Sequence, residues 1–274
     1  MRKIAIFTIV IILAVAGGVN IYNQNREPQI SGYLELEQSS GSLIILYDNY
    51  LYDTDGRNEW GFSCLVETPD KVVLFDTGGE IDILRHNLEA FDVDLSTIDC
   101  VVISHEHWDH IGGLEILQSL TPGIPVYVPD GIPYSVKSTI RSHGGECIEA
   151  INATKISDSI ATTSTLDGPP REQSLIIRTE EGVILVTGCS HPGVNNLARD
   201  AHNIAEESIR LVIGGFHLGG ANESTLDGIC NELDEIGVEK VSSTHCTGDE
   251  AREYFRERYG DNFVESGVGF HMEF

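Results

Sequence analysis

Short apolar runs bounded by polar turns alternate along this chain with longer stretches in which apolar residues recur every three or four positions. The first pattern predicts strands and the second amphipathic helices. Ser42–Tyr47 is the first strand candidate, and a polar stretch over 49–59 predicts a loop. Gly61–Thr68 and Lys71–Asp76 then form a hairpin across Pro69-Asp70. Glu80–Phe91 carries Ile83, Leu84, Leu88 and Phe91 at helical spacing. A buried strand at Cys100–Ile103 runs into Ser104-His105-Glu106-His107-Trp108-Asp109-His110. Gly112-Gly113 next opens a helical pattern with Leu114, Leu117 and Leu120 on one face. Pro125–Pro129 predicts a short strand. Residues 131–170, rich in Ser and Thr, predict loops and short strands around a cleft.

The second half repeats the plan. Ser174–Thr179 and Gly182–Gly188 predict a hairpin that ends in Cys189-Ser190-His191-Pro192-Gly193. A helix over 195–207 precedes a strand at 209–213, which ends at Gly214-Gly215-Phe216-His217. A helix over 223–236 precedes a strand over 239–243, which ends at Thr244-His245-Cys246. A helix over 250–259 and a closing strand at 268–270 complete the pattern. Strands in both halves run out into loops carrying His, Asp or Cys, which predicts a site at strand ends between two packed sheets.

Residues 1–41 stand apart. A positive Met1-Arg2-Lys3 precedes an apolar run over 4–16, and the uncharged stretch continues to Tyr22. This predicts a signal peptide or membrane anchor over 1–22, a polar linker over 23–41 and a catalytic domain over 42–274 placed outside the cytoplasm. Ala14-Val15-Ala16 fits a cleavage site. Left uncleaved, the segment makes the membrane a partner.

Charge narrows the functions open to that domain. A formal net charge of -26 repels phosphates everywhere except at a metal-charged site, so general nucleic-acid binding is not expected. The six cysteines include no CxxC pair, which excludes the usual zinc-finger spacing. Cys64 and Cys100 read as core residues. Cys189 and Cys246 adjoin histidines, but an extended backbone would turn Cys246 away from the face that His245 uses.

His105 and His107 lie two apart and point the same way in an extended chain, with Asp109 and His110 just beyond. Such a set offers imidazole nitrogen and carboxylate oxygen to a divalent cation. His191, His217 and His245 sit at three other strand ends and can complete the site. Two cations would take five to seven such ligands and activate a water for hydrolysis without a side-chain nucleophile. Zinc suits the set best, and manganese or iron also fits. Asp109 and Asp76 are the candidate catalytic carboxylates, with Asp76 either orienting a ligand histidine or capping the Glu80 helix.

Asp76-Thr77-Gly78, His105-x-His107-x-Asp109-His110, the Gly188-Cys189 strand end and His245 together resemble the ordered motifs of the metallo-β-lactamase superfamily. The resemblance runs from about residue 42 to the end. It implies an α+β fold, a four-layer αββα sandwich, and a metal site of His105, His107, Asp109, His110, His191 and His245, with Cys189 and His217 as further candidates. The ligand histidine the superfamily carries about twenty residues before the Gly188 strand end is absent; Gly168–Gln173 occupies that region, and His191 is the natural substitute. Cys189 stands where most members carry a bridging aspartate. Gly61-Phe62-Ser63, Thr187–Gly193, Gly214–Leu218 and His245–Gly248 are similar to one subfamily, the 7,8-dihydropterin-6-yl-methyl-4-(β-D-ribofuranosyl)aminobenzene 5'-phosphate synthases.

Hydrolysis of a small phosphoester or phosphodiester is the expected activity. The synthase-type condensation, which releases diphosphate, is an alternative, although it uses cytosolic intermediates and the export segment points outward. Lactone hydrolysis and a non-catalytic metal-binding ectodomain are further alternatives.

Overall fold

The computed structural model describes residues 32–274. The expected signal peptide or anchor over 1–22, and the expected linker up to 31, lie outside the described residues. Among the described residues, 32–274, no helix is long and apolar enough to cross a membrane.

The first half contains β1 (Ser42–Tyr47), β2 (Ser63–Thr68), β3 (Lys71–Phe75), α1 (Ile81–Ala90), β4 (Cys100–Val102), α2 (Trp108–Ile111), β5 (Pro125–Pro129), α3 (Tyr134–Ser142) and β6 (Glu146–Ala150). The second contains β7 (Ile160–Thr162), β8 (Leu175–Thr179), β9 (Gly182–Thr187), α4 (Val194–Ala205), β10 (Ile209–Gly215), α5 (Glu223–Ile236), β11 (Lys240–Thr244), α6 (Asp249–Tyr259) and β12 (His271–Glu273). The strands make a seven-stranded sheet, β12-β1-β2-β3-β4-β5-β6, and a five-stranded sheet, β11-β10-β9-β8-β7.

Three apolar clusters separate four layers. In β1, Leu43 and Ile45 face the opposite sheet, while Ile44 and Leu46 face α1 and its neighbours. In β9, Ile184 and Val186 likewise point between the sheets, and Val183 and Leu185 point to α4, α5 and α6. This is the period of two expected of a strand, apolar on both faces because both faces are covered. In β10 the register shifts between Ile209 and Leu211, so Ile209 faces the helices and Leu211 the other sheet. The result is the expected αββα sandwich.

β3, β4, β5 and β6 run parallel, as do β9, β10 and β11. Their carboxyl ends therefore lie along one edge of each sheet. In open parallel sheets that edge is where ligands bind.

Four local expectations need correction. The stretch after Gly112-Gly113 is a 3₁₀ helix, Leu114–Ser119, preceded by the one-turn α2. The two glycines are there for close approach: a Cβ on Gly112 would lie 1.9 Å from the Gly79 carbonyl oxygen, and one on Gly113 2.2 Å from that of Thr77. The 131–170 region holds a helix, α3, whose Val136 and Ile140 are buried one turn apart within an otherwise polar sequence. The closing strand lies at His271–Glu273, because Gly269 turns the chain at a φ of 83° and Phe270 then folds into the core. Finally, the end of the expected linker is docked on the domain. Leu34 N donates to Ile204 O, Glu37 N to Asp158 O and Ser39 N to Arg178 O, while Leu36 is buried in the cluster under α4 and α5.

Docking of this segment has a measurable energy. Leu36→Ala is expected to destabilise the domain by about 2–3 kcal/mol, the low end of buried Leu→Ala substitutions, read from the urea midpoint. A freely moving linker would give a change below about 0.5 kcal/mol.

Candidate metal centre

The candidate residues follow strand ends, with Asp109 and His110 on the one-turn α2 just after β4. β3 ends at Asp76, β4 leads to Ser104 and His105, β9 to Cys189, β10 to His217 and β11 to His245. Asp76, Ser190, His217 and His245 all have positive φ, between 47° and 63°. Non-glycine residues occupy this region at a cost, and such strain persists where the surroundings enforce it. Here it turns the chain sharply enough for consecutive side chains to face the same cleft.

Two clusters of candidate ligands result. His105, His107 and His191 form one; Asp109, His110, Cys189 and His245 form the other. Their donor atoms lie within 4.8 Å of one another in each set. The clusters are contiguous, with the rings of His105 and His110 4.2 Å apart. In the second, His110 Nε2 lies 3.2 Å from both Cys189 Sγ and His245 Nε2, and Asp109 Oδ2 lies 3.3 Å from His245 Nε2.

Hydrogen bonds behind the cleft assign the tautomers. Asp76 is completely buried and accepts from Ser104 N at 2.7 Å and Ser104 Oγ at 2.6 Å, and it lies 2.7 Å from His110 Nδ1. Because Ser104 Oγ donates to Asp76, it can only accept from His105 Nδ1, 2.8 Å away. His191 Nδ1 lies 2.9 Å from Glu172 Oε2, and His245 Nδ1 lies 2.9 Å from Asn49 Oδ1. Asn49 Nδ2 donates to His245 O, which fixes the orientation of the amide. All four histidines thus carry their proton on Nδ1 and turn the Nε2 lone pair inward.

That arrangement fits a cation and little else. His105 Nε2 and His191 Nε2 are buried without a hydrogen-bond partner. His110 Nε2 and His245 Nε2 face each other at 3.2 Å with their protons on the far side. Burial and the neighbouring His245 hold His110 down to about 3, so its ring is neutral at neutral pH. Burial opposes ionisation of Asp109, but the adjacent His245 and His110 keep it below the usual carboxylate range. The first set offers three imidazoles. The second offers two imidazoles, a carboxylate and a thiol, a donor set suited to zinc.

Asp76 stands behind His110 and Ser104 and belongs to neither cluster. It does not cap α1, whose N-cap position is Glu80. Cys246 does not turn away as expected: at His245 the strand passes into a 3₁₀ turn, His245–Thr247, which brings Cys246 together with Cys189 and His217. Four contributors were not anticipated: Glu172, Asn49, Trp60 and Ser104. Trp60 Nε1 donates to Asp109 Oδ2 at 2.8 Å and so selects that oxygen's position. For Glu172 a signal existed, since it sits in the segment where the expected histidine is missing.

Comparison with known proteins agrees with this geometry. The family described as the Metallo-beta-lactamase superfamily matches residues 61–142, from the β2 loop through the His105–His110 motif to α3. An uncharacterized protein of Methanocaldococcus jannaschii is 30% identical over 262 residues, spanning 83% of this chain and 98% of that protein. The chain belongs to the metallo-β-lactamase superfamily. Another relative from the same organism, 7,8-dihydropterin-6-methyl-4-(β-D-ribofuranosyl)-aminobenzene-5'-phosphate synthase, is 26% identical over 85% of this chain and 96% of its own length. A crystal structure of Tm1679, described as a metal-dependent hydrolase of the β-lactamase superfamily, superposes with a TM-score of 0.73 at 26% identity, covering 85% of this chain and 99% of that one.

Against the superfamily pattern, Glu172 is the local departure that matters. Completely buried, it accepts from the backbone N–H groups of Cys189, Ser190 and His191 at 2.8–2.9 Å as well as from His191 Nδ1. Burial works against its charge, yet His105, His191 and these donors bring it down to about 2. It therefore sets the tautomer and position of His191, the expected substitute for the missing histidine. Glu172→Gln is expected to weaken cation binding at His105–His107–His191 by about 10–100-fold, measured by competition with a chelator, with a smaller change at the Asp109 cluster.

Proposed function

We propose that the protein is a hydrolase acting on phosphoesters or phosphodiesters, with two divalent cations, zinc first, held by His105, His107 and His191 and by Asp109, His110, Cys189 and His245. The observation that carries this reading is the convergence of candidate ligands in two contiguous clusters, with His105 Nε2 and His191 Nε2 buried without a hydrogen-bond partner. Bound there, divalent cations would supply Lewis acidity and bring water's pKa toward neutrality, as in two-metal phosphoesterases. Asp109, fixed by Trp60, contributes the negative oxygen of the second cluster. Asp76 and Glu172 act as positioning residues through the histidines they hold.

A second reading is favoured by the cleft's rim and by one relative. The chain's two tryptophans, Trp60 and Trp108, both lie here and are 46% and 59% exposed. Exposed indoles beside a polar site suit a planar ring in the substrate. The synthase relative carries such rings in its name. Condensation of a pterin-methyl diphosphate with a ribosylated aminobenzene phosphate, a C–N bond forming as the C–O bond to the leaving diphosphate breaks, would use the same centre.

One assay separates the readings. Zinc-loaded protein is expected to hydrolyse bis-p-nitrophenyl phosphate or a phosphomonoester, to lose at least about 100-fold in rate after chelation, and to recover on reloading. Diphosphate release from the pterin pair, with phosphoesters untouched, would replace the first reading by the second. Inactivity on both sets would sink both.

We also propose that the domain works outside the cytoplasm, on the strength of the charged start and the apolar run over 4–16. A reporter that is active only after export, fused behind residue 31, is expected to be active; a silent, well-expressed fusion would refute the placement.

A further inference from the structure

Beyond the two clusters lies a third set of donors. Cys189, His217 and Cys246 bring Sγ, ring nitrogen and Sγ within 4.8 Å of one another. Tetrahedral coordination with bonds of about 2.0–2.3 Å places donors about 3.3–3.8 Å apart, so such a set can close on one ion. Both cysteines are buried, and His217 faces solvent. Cys246 Sγ also lies 3.6 Å from the Cys189 carbonyl oxygen.

The backbone around this set is shaped to admit it. His217 and His245 hold φ values of 51° and 47°, which swing His217 and the following Cys246 inward from the ends of β10 and β11. Between those strands, Gly215 leaves the space the thiol needs, since a Cβ there would lie 2.7 Å from Cys246 Sγ. The set touches both clusters already described. Cys189 is shared with Asp109, His110 and His245, and the His217 ring lies 4.5 Å from the His191 ring.

We infer that Cys189, His217 and Cys246 form a third cation site, selective for a thiophilic ion of the zinc class, with Cys189 bridging to the second cluster. Two thiolates and an imidazole favour zinc over manganese or magnesium. Three protein ligands leave one position open, which distinguishes this site from a closed structural one. The open position lies on the exposed His217 side, facing the cleft, where it can take an anionic group of the substrate. The site depends on the two-cation reading only through the shared Cys189.

Zinc content of the full chain, loaded under reducing conditions, tests the site. About three equivalents are expected in the wild type and about two in Cys246→Ser and in His217→Ala. X-ray absorption of the unmutated protein gives a measure free of folding effects: about one sulfur neighbour per zinc at about 2.3 Å, against about half that with Cys189 as the sole thiolate ligand. Two equivalents in the wild type, unchanged by Cys246→Ser, would overturn the third site, as would a Cys189–Cys246 disulfide in the loaded protein. A single, sulfur-rich equivalent lost in Cys246→Ser would keep this site and instead remove the two-cation centre.

Discussion

The arrangement depends first on a carboxylate buried where no water reaches it. Asp76 has no exposed surface, and its oxygens meet Ser104 N, Ser104 Oγ and His110 Nδ1. Burying an unpaired carboxylate costs several kcal/mol, so these contacts are a condition of its being there. In making them it ties the end of β3 to the end of β4 and orients His105 and His110 together. Glu172 does the same for the second half, binding three consecutive backbone N–H groups and His191. Each sheet thus brings one buried acid, and each acid aims imidazole lone pairs at the seam between the sheets.

Those acids also set the charge of the cleft. Burial pushes the Asp76 carboxyl well above the usual range, but Glu172 and Asp109, although burial opposes their charge, are held below it by the histidines around them, so the cleft keeps negative charge. Cations are the largest charges such a site can hold, and they change its local electrostatics decisively. The close approach of His110 Nε2 and His245 Nε2 has the same meaning: two lone pairs at 3.2 Å repel unless something positive lies between them.

Much of this was legible in the sequence because it is local. Period-two strands, the α1 and α5 spans, and the His105–His110 motif depend on neighbours a few positions apart. His191, expected from the family resemblance as the substitute for a missing histidine, lies beside His105 and His107. The residues behind the histidines did not show themselves, for a plain reason. Asn49 meets His245 across 196 positions, Trp60 meets Asp109 across 49, and Glu172 meets His191 across 19. Nothing in the local pattern of Asn49 or Trp60 marks such a partner. Cys246 was misjudged because an extended backbone was assumed where β11 gives way to a tight turn. The docking of Leu36 was hidden in a mostly polar stretch, in which Ile30, Tyr33 and Leu34 give no helical or strand period.

Surface charge and site chemistry now meet in one argument. With a net charge of -26, the molecule repels anions at long range. A phosphorylated substrate can therefore gain affinity only at short range, within the Debye length of about 8–10 Å, from groups that outweigh the surrounding acids. Cations in the cleft are such groups, and the exposed faces of Trp60 and Trp108 add attraction that carries no charge. On the proposed reading, recognition would then favour molecules small enough to reach the seam and flat enough to lie against the indoles. An extended polyanion would meet the acidic surface along its whole length, whereas a small ester meets mainly the cleft.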